Sequence, residues 1–97
     1  MEDLLKVSNP NQVYKNAVKY LGKNVKIAIS NRQYKKYTVY DPINKIWVHF
    51  GDIRYEDFTH HKNNKRRESY LKRATNIKGN WKDNKYSSNN LAINLLW

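Results

Sequence analysis

The chain has 97 residues, 19 of them basic and 8 acidic, giving a net charge of +11, and it contains no cysteine. That length leaves room for one domain with a modest core, and the lack of thiols excludes a disulfide framework or a thiolate metal centre. A mean hydropathy of −0.99 would suit a disordered chain, but three tryptophans, two phenylalanines and eight tyrosines supply large apolar bodies with polar tips. A single folded domain over residues 1–97, with a flexible N-terminus at 1–9, is therefore expected.

The opening MEDLLKVSNPNQ has no sustained apolar core of the kind a secretory signal needs, and no stretch approaches the ~18 apolar residues of a membrane span. A soluble chain without a secretory address is expected. NPNQVYKNAVKYLG then carries helix punctuation: Asn9 as cap, Pro10 at the first helical position and Gly22 beyond the end. Val13, Ala17, Tyr20 and Leu21 share one face of a helix over 10–21. NVKIAIS alternates as a half-buried strand, with Val25, Ile27 and Ile29 on one side. KKYTVYDPINKIWVHFG reads as two strands joined by a turn at Asp41-Pro42-Ile43-Asn44, with Tyr37, Val39, Ile46, Val48 and Phe50 as inward candidates.

Beyond Gly51 the strand signal fades, and DIRYEDFTHH reads as a short helix or structured loop. Residues 62–76 read as a helix with two sides. Arg67, Tyr70, Leu71, Ala74 and Ile77 fall in one arc, and Lys62, Lys65, Arg66, Ser69, Lys72 and Arg73 in the other. KGNWKDNKYSSNN is a polar connector around Trp81, and SSNNLAINLLW offers Ser87 or Ser88 as the cap of a last short helix. The expected fold class is α+β: a small three-stranded antiparallel meander flanked by an N-terminal helix, a basic central helix and a short C-terminal helix. Its expected core includes Tyr37, Val39, Trp47, Val48, Phe50, Phe58, Leu71, Leu91 and Leu95.

Charge is the strongest functional signal. Residues 62–85 hold nine basic and two acidic side chains, seven of the eleven net positive charges. Lysine and arginine neutralise phosphates and release counterions, the main source of sequence-independent affinity for nucleic acid. Lys62, Lys65, Arg66, Lys72, Arg73, Lys78 and Lys82 are the candidate phosphate contacts, with Lys35 and Lys36 as further candidates. Arg67 lies in the apolar arc, where a guanidinium needs a carboxylate, so a structural ion pair with Glu56, or with Asp52 or Asp57, is expected. Tyr70, Trp81 and Tyr86 are suited to base stacking or to the core.

His60 and His61 are adjacent, so their side chains diverge, and His49 lies on a strand without ligand spacing, so no metal site or cofactor is expected. A nuclease in which Asp52, Glu56 and Asp57 hold Mg²⁺ while His60 or Arg66 handles phosphate is the third reading. No Gly-rich phosphate loop and no nucleophile–base spacing supports catalysis.

The ordered set WVHFG (47–51), YEDFTHH (55–61), RRESYLKR (66–73) and LLW (95–97) resembles a family of small basic proteins, mostly uncharacterised, of nucleocytoplasmic large DNA viruses such as Mimivirus and the marseilleviruses. The resemblance covers residues 34–97. It implies a viral protein packaged with the genome in the virion, or present in host cytoplasm or viral factories, and it carries over no catalytic residues. The expected function is therefore non-catalytic, nonspecific binding of nucleic acid, viral duplex DNA first, through the basic helix. The alternative is a structural or adaptor virion protein meeting acidic protein or lipid. The apolar LLW end makes a second copy of the chain a candidate partner.

Overall fold

The computed structural model describes residues 2–97. In chain order these form α1 (Glu2–Leu5), α2 (Pro10–Leu21), β1 (Ile27–Ile29), β2 (Tyr37–Asp41), β3 (Ile46–Phe50), α3 (Phe58–His61) and α4 (Asn64–Thr75). A 3-10 turn (Trp81–Asp83) and α5 (Ser88–Leu91) follow, and α5 runs on as a π-helix over Ala92–Leu96. The fold is α+β, with a three-stranded antiparallel meander of order β1-β2-β3, a helix before it and helices after it. None of the described helices is long and apolar enough to cross a membrane.

Local signals set the first long helix where the sequence places it. The Asn9 side chain accepts from the Gln12 N–H at 3.3 Å, Pro10 occupies the first turn, and Gly22, at φ 101°, donates its N–H to the Val18 carbonyl at 2.8 Å. Val13 and Ala17 are fully buried. The β2–β3 hairpin closes around Asp41, whose carboxylate accepts from the Ile43 and Asn44 N–H groups and the Asn44 side chain. Lys45 follows in the left-handed region at φ 58°, a common way for a short hairpin loop to return.

Register places Tyr37 opposite Phe50, Val39 opposite Val48, and Ile27 opposite Val39. These residues share the face covered by α2, α5 and the π-helix, whose Val13, Ala17, Leu91, Leu95 and Leu96 complete the core with Leu4. Trp47 corrects the expected core list: it lies on the opposite face and is 47% exposed, since it alternates with Val48 and the two cannot both point inward. Ile29 and Ile46 lie on the inner row but beyond the helical layer, and both are exposed. Val48, Phe58 and Leu71 are half-buried rather than fully enclosed.

Residues 2–9 depart from the expected flexible terminus, whose Met1 lies outside the described residues. Leu4 is buried at 1% exposure, and the Val7 carbonyl accepts from the Asp57 N–H at 3.0 Å. The Ser8 hydroxyl bonds the Tyr37 hydroxyl at 2.8 Å and the Thr59 hydroxyl at 3.3 Å. Thr59 also donates to Asp57, and Asp57 receives the Lys36 ammonium at 3.0 Å. Lys36 and Asp57 are both essentially inaccessible. This polar chain joins the N-terminal segment, the start of β2 and the start of α3.

Two stability predictions come from that chain. Removing one partner of a buried ion pair strands the other charge, so Lys36→Met and Asp57→Asn should each cost about 3–5 kcal/mol in urea unfolding, and the double variant less than the sum. Additive losses would show that the pair is not coupled. Burial pushes the Tyr37 hydroxyl up to about 12 from 10.0. The folded protein therefore keeps a proton that the unfolded chain sheds, and stability present below pH 10 is lost as pH rises toward 12. Tyr37→Phe should lose about 1 kcal/mol at neutral pH with the Ser8 bond, and its melting temperature should fall less steeply than the parent's in the alkaline range. An unchanged alkaline slope would remove Tyr37 from this role.

Candidate nucleic-acid interface

The helix expected over 62–76 is α4 alone and starts two residues later, after a separate short helix α3. Lys62 takes a left-handed conformation at φ 53° and ends α3, its N–H returning to the Phe58 carbonyl. Asn63 then caps α4 by accepting from the Arg66 N–H at 3.1 Å. The break turns Lys62 away from the stripe that the sequence assigns it to, and it lies instead beside Thr59, Arg67 and Leu71 on another side of the molecule. Ile77 falls beyond the end of α4 and is half exposed.

Along α4 itself, Lys65, Ser69 and Arg73 follow at i, i+4 and i+8, with Arg66 and Tyr70 beside them, all on one wall of an open groove of about 560 Å³. Gly51, Asp52, Tyr55 and Glu56 form the facing wall, and Ala92, Leu96 and Trp97 the floor. Tyr70 is stacked on Trp97, with ring centroids 4.2 Å apart and planes at 10°, which fixes α4 to the C-terminal segment. Gly51, at φ 81°, is required here, because a Cβ would come within 3.0 Å of Lys36 Cβ and Leu96 Cδ1.

The acids on the facing wall are engaged. Asp52 receives Arg54 through two side-chain bonds of 3.0 and 2.8 Å, which hold its carboxyl down at about 2. Glu56 binds His60 Nδ1 at 2.7 Å, with Arg66 at 3.6 Å, and its carboxyl is held below the usual range first by the His60 bond. The arrangement expected of a Mg²⁺-binding nuclease does not form: Asp57 is turned inward to Lys36, and the described residues contain no cluster of three metal-ligating side chains. Lys65 and Arg73 have no carboxylate partner among the described residues. The Arg73 guanidinium lies 5.8 Å from the Tyr70 ring centre.

Two expected roles are corrected. Lys36 is not an exposed phosphate contact, because it is buried and committed to Asp57, and desolvation lowers its basicity. The Arg67–Glu56 pair does not form. Arg67 is turned around α4 from Glu56, is exposed, and donates Nε–H to the Trp97 main-chain oxygen at 2.6 Å while its guanidinium lies over the Phe58 ring. Arg66, its sequence neighbour, holds Glu56 instead.

Of the nine candidate phosphate contacts, Lys65, Arg66 and Arg73 thus come together in the groove. Lys62, Lys72, Lys78, Lys82 and Lys35 are exposed elsewhere, with Lys82 lying over the Trp81 ring. Ser69 lies on the basic arc as the helical spacing places it, whereas no local pattern marks Tyr55 and Trp97 as groove residues. The Lys65–Ser69–Arg73 spacing marks one helix face, but its opposing wall comes from residues that no local pattern ties to α4.

No curated protein and no solved structure matches the chain. A family model described as a family of unknown function, DUF5754, matches residues 25–74. That span holds the whole sheet, the Lys36–Asp57 pair and the basic wall of the groove, and the chain belongs to this family of unknown function.

Proposed function

We propose that the protein is a non-catalytic nucleic-acid-binding protein that takes phosphates along the α4 wall of the groove. The observation that carries this reading is the alignment of Lys65, Arg66 and Arg73 on one helix face, two of them without a carboxylate partner among the described residues, in a chain of net charge +11. Such contacts bind the backbone and read no base, so affinity is nearly independent of sequence. The resemblance to small basic proteins of large DNA viruses makes packaged viral duplex DNA the polyanion of first choice and the virion the place.

Each phosphate neutralised contributes about −0.9 to the log–log salt slope of duplex binding. In a mobility-shift titration over a salt series, replacing Lys65, Arg66 and Arg73 together by Ala should reduce that slope by about 3. The melting temperature should barely move, because these side chains are exposed. A well-folded triple variant with parental slope and affinity would refute the groove as the phosphate track. If the parent ignores DNA but binds an acidic protein or anionic vesicles, the adaptor role replaces this one.

Glu56 tempers the same wall. Glu56→Gln leaves Arg66 free of its carboxylate and removes one negative charge from the groove, so duplex affinity at fixed salt should rise several-fold. Unchanged binding would place the phosphates away from Arg66.

A further inference from the structure

The helices leave one face of the sheet open, and that face is neither apolar nor acidic. Reading across the strands, the Lys26 carbonyl accepts from the Tyr40 N–H at 3.0 Å, and Tyr40 is the register partner of Trp47. Lys26, Tyr40 and Trp47 therefore form a row about 10 Å wide. The Tyr40 ring lies 5.4 Å from the Trp47 ring at 59°, and the Lys26 ammonium lies over Tyr40 at 5.4 Å. One face of Tyr40 is thus occupied, whereas Trp47, at 47% exposure, presents its indole to solvent while Tyr40 holds it in place.

The surroundings are cationic. His49 shares this face with Trp47; burial lowers its basicity first, and then the nearby charges of Arg32 and Lys35 do. Lys45 stands at the hairpin turn one residue before β3. From residue 22 to 51 the only acid is Asp41, which is buried on the inner row and used to close the turn. An exposed aromatic ring bordered by cations, with no competing carboxylate, is what an unpaired base and its flanking phosphates require. A duplex, whose base faces are stacked away, has nothing to place on the indole.

We propose that this open sheet face is a second binding site, for single-stranded nucleic acid, with a base stacked on Trp47 and the flanking phosphates held by Lys26 and Lys45. The site is separate from the α4 groove and does not depend on it.

Fluorescence anisotropy of a labelled oligothymidylate and of a duplex of equal length, at one ionic strength, tests it on the full chain. Trp47→Ala should weaken single-strand binding by about 5- to 100-fold, while Trp47→Phe, which keeps an aromatic face, should retain most of it. Duplex affinity should stay within about twofold for both, since duplex binding runs through backbone phosphates elsewhere. Lys26→Glu, an exposed change that leaves the fold alone, should weaken the single strand more than the duplex. The Lys65, Arg66 and Arg73 triple Ala variant should do the reverse. Equal loss of single strand and duplex in a folded Trp47→Ala, or no loss of either, overturns the sheet site. Parental binding of duplex but not of single strand overturns it and leaves the groove standing. Failure of the parent to bind either nucleic acid removes both, and a Trp47-dependent affinity for polyglutamate in that case would assign the face to an acidic protein.

Discussion

A lysine and an aspartate taken wholly out of water organise the rest of the molecule. The cost of desolvating Lys36 and Asp57 is recovered only if their geometry is good and their remaining bonding capacity is filled. Here the Thr59 hydroxyl donates to the second Asp57 oxygen, and the Asp57 N–H is held by the Val7 carbonyl. The pair stands where three otherwise unrelated pieces meet: the entry to β2, the turn into α3 and the segment after α1. Gly51 sits against the Lys36 stem, and a side chain there would collide with it. Because α3 begins at the residue after Asp57, the position of Glu56 and Asp52 on the groove wall follows from the same anchor.

That anchor also sorts the charges. A chain with so many cations can place few of them inside, and it places one, at the cost of a depressed lysine basicity. The others remain outside but are not equivalent. Arg54 and Arg66 are occupied by carboxylates, Arg67 by the Trp97 oxygen, and Lys26, Lys82 and Lys85 lie over aromatic rings. Lys65 and Arg73 on the α4 wall have no carboxylate partner among the described residues, and neither do the exposed Lys35, Lys45, Lys62, Lys72 and Lys78.

Local physics made part of this legible. The α2 boundaries follow from Asn9, Pro10 and Gly22, and the meander from alternation around a turn whose Asp41 bonds its own neighbours. What stayed hidden depends on distance along the chain. Lys36 reads as half of a solvated Lys-Lys pair until Asp57, 21 residues on, is brought to it. Lys62 fits the helical wheel of residues 62–76 until its left-handed backbone leaves it outside α4, at the end of the preceding short helix. Trp47 stands in the expected core although its alternation with Val48 puts the two on opposite faces of the sheet, and it is exposed. The basic wall was visible at Lys65, Arg66 and Arg73 because one helix carries it, whereas the wall it faces is a product of the fold.

The π-helix has a consequence for how the chain reaches this state. A π turn is poorly stabilised by its own ladder, and this one is held from outside: Asn16 donates to the Leu95 carbonyl across a sequence separation of 79 residues. Leu91, Leu95 and Leu96 cover the same sheet face as Val13 and Ala17, so the helical layer over the sheet is built from opposite ends of the polypeptide. The closure entropy of that long loop must be met before its contacts return anything. During synthesis, α2 and the meander emerge with Val39 and Phe50 still facing water, and the core closes only after residue 96 has left the ribosome.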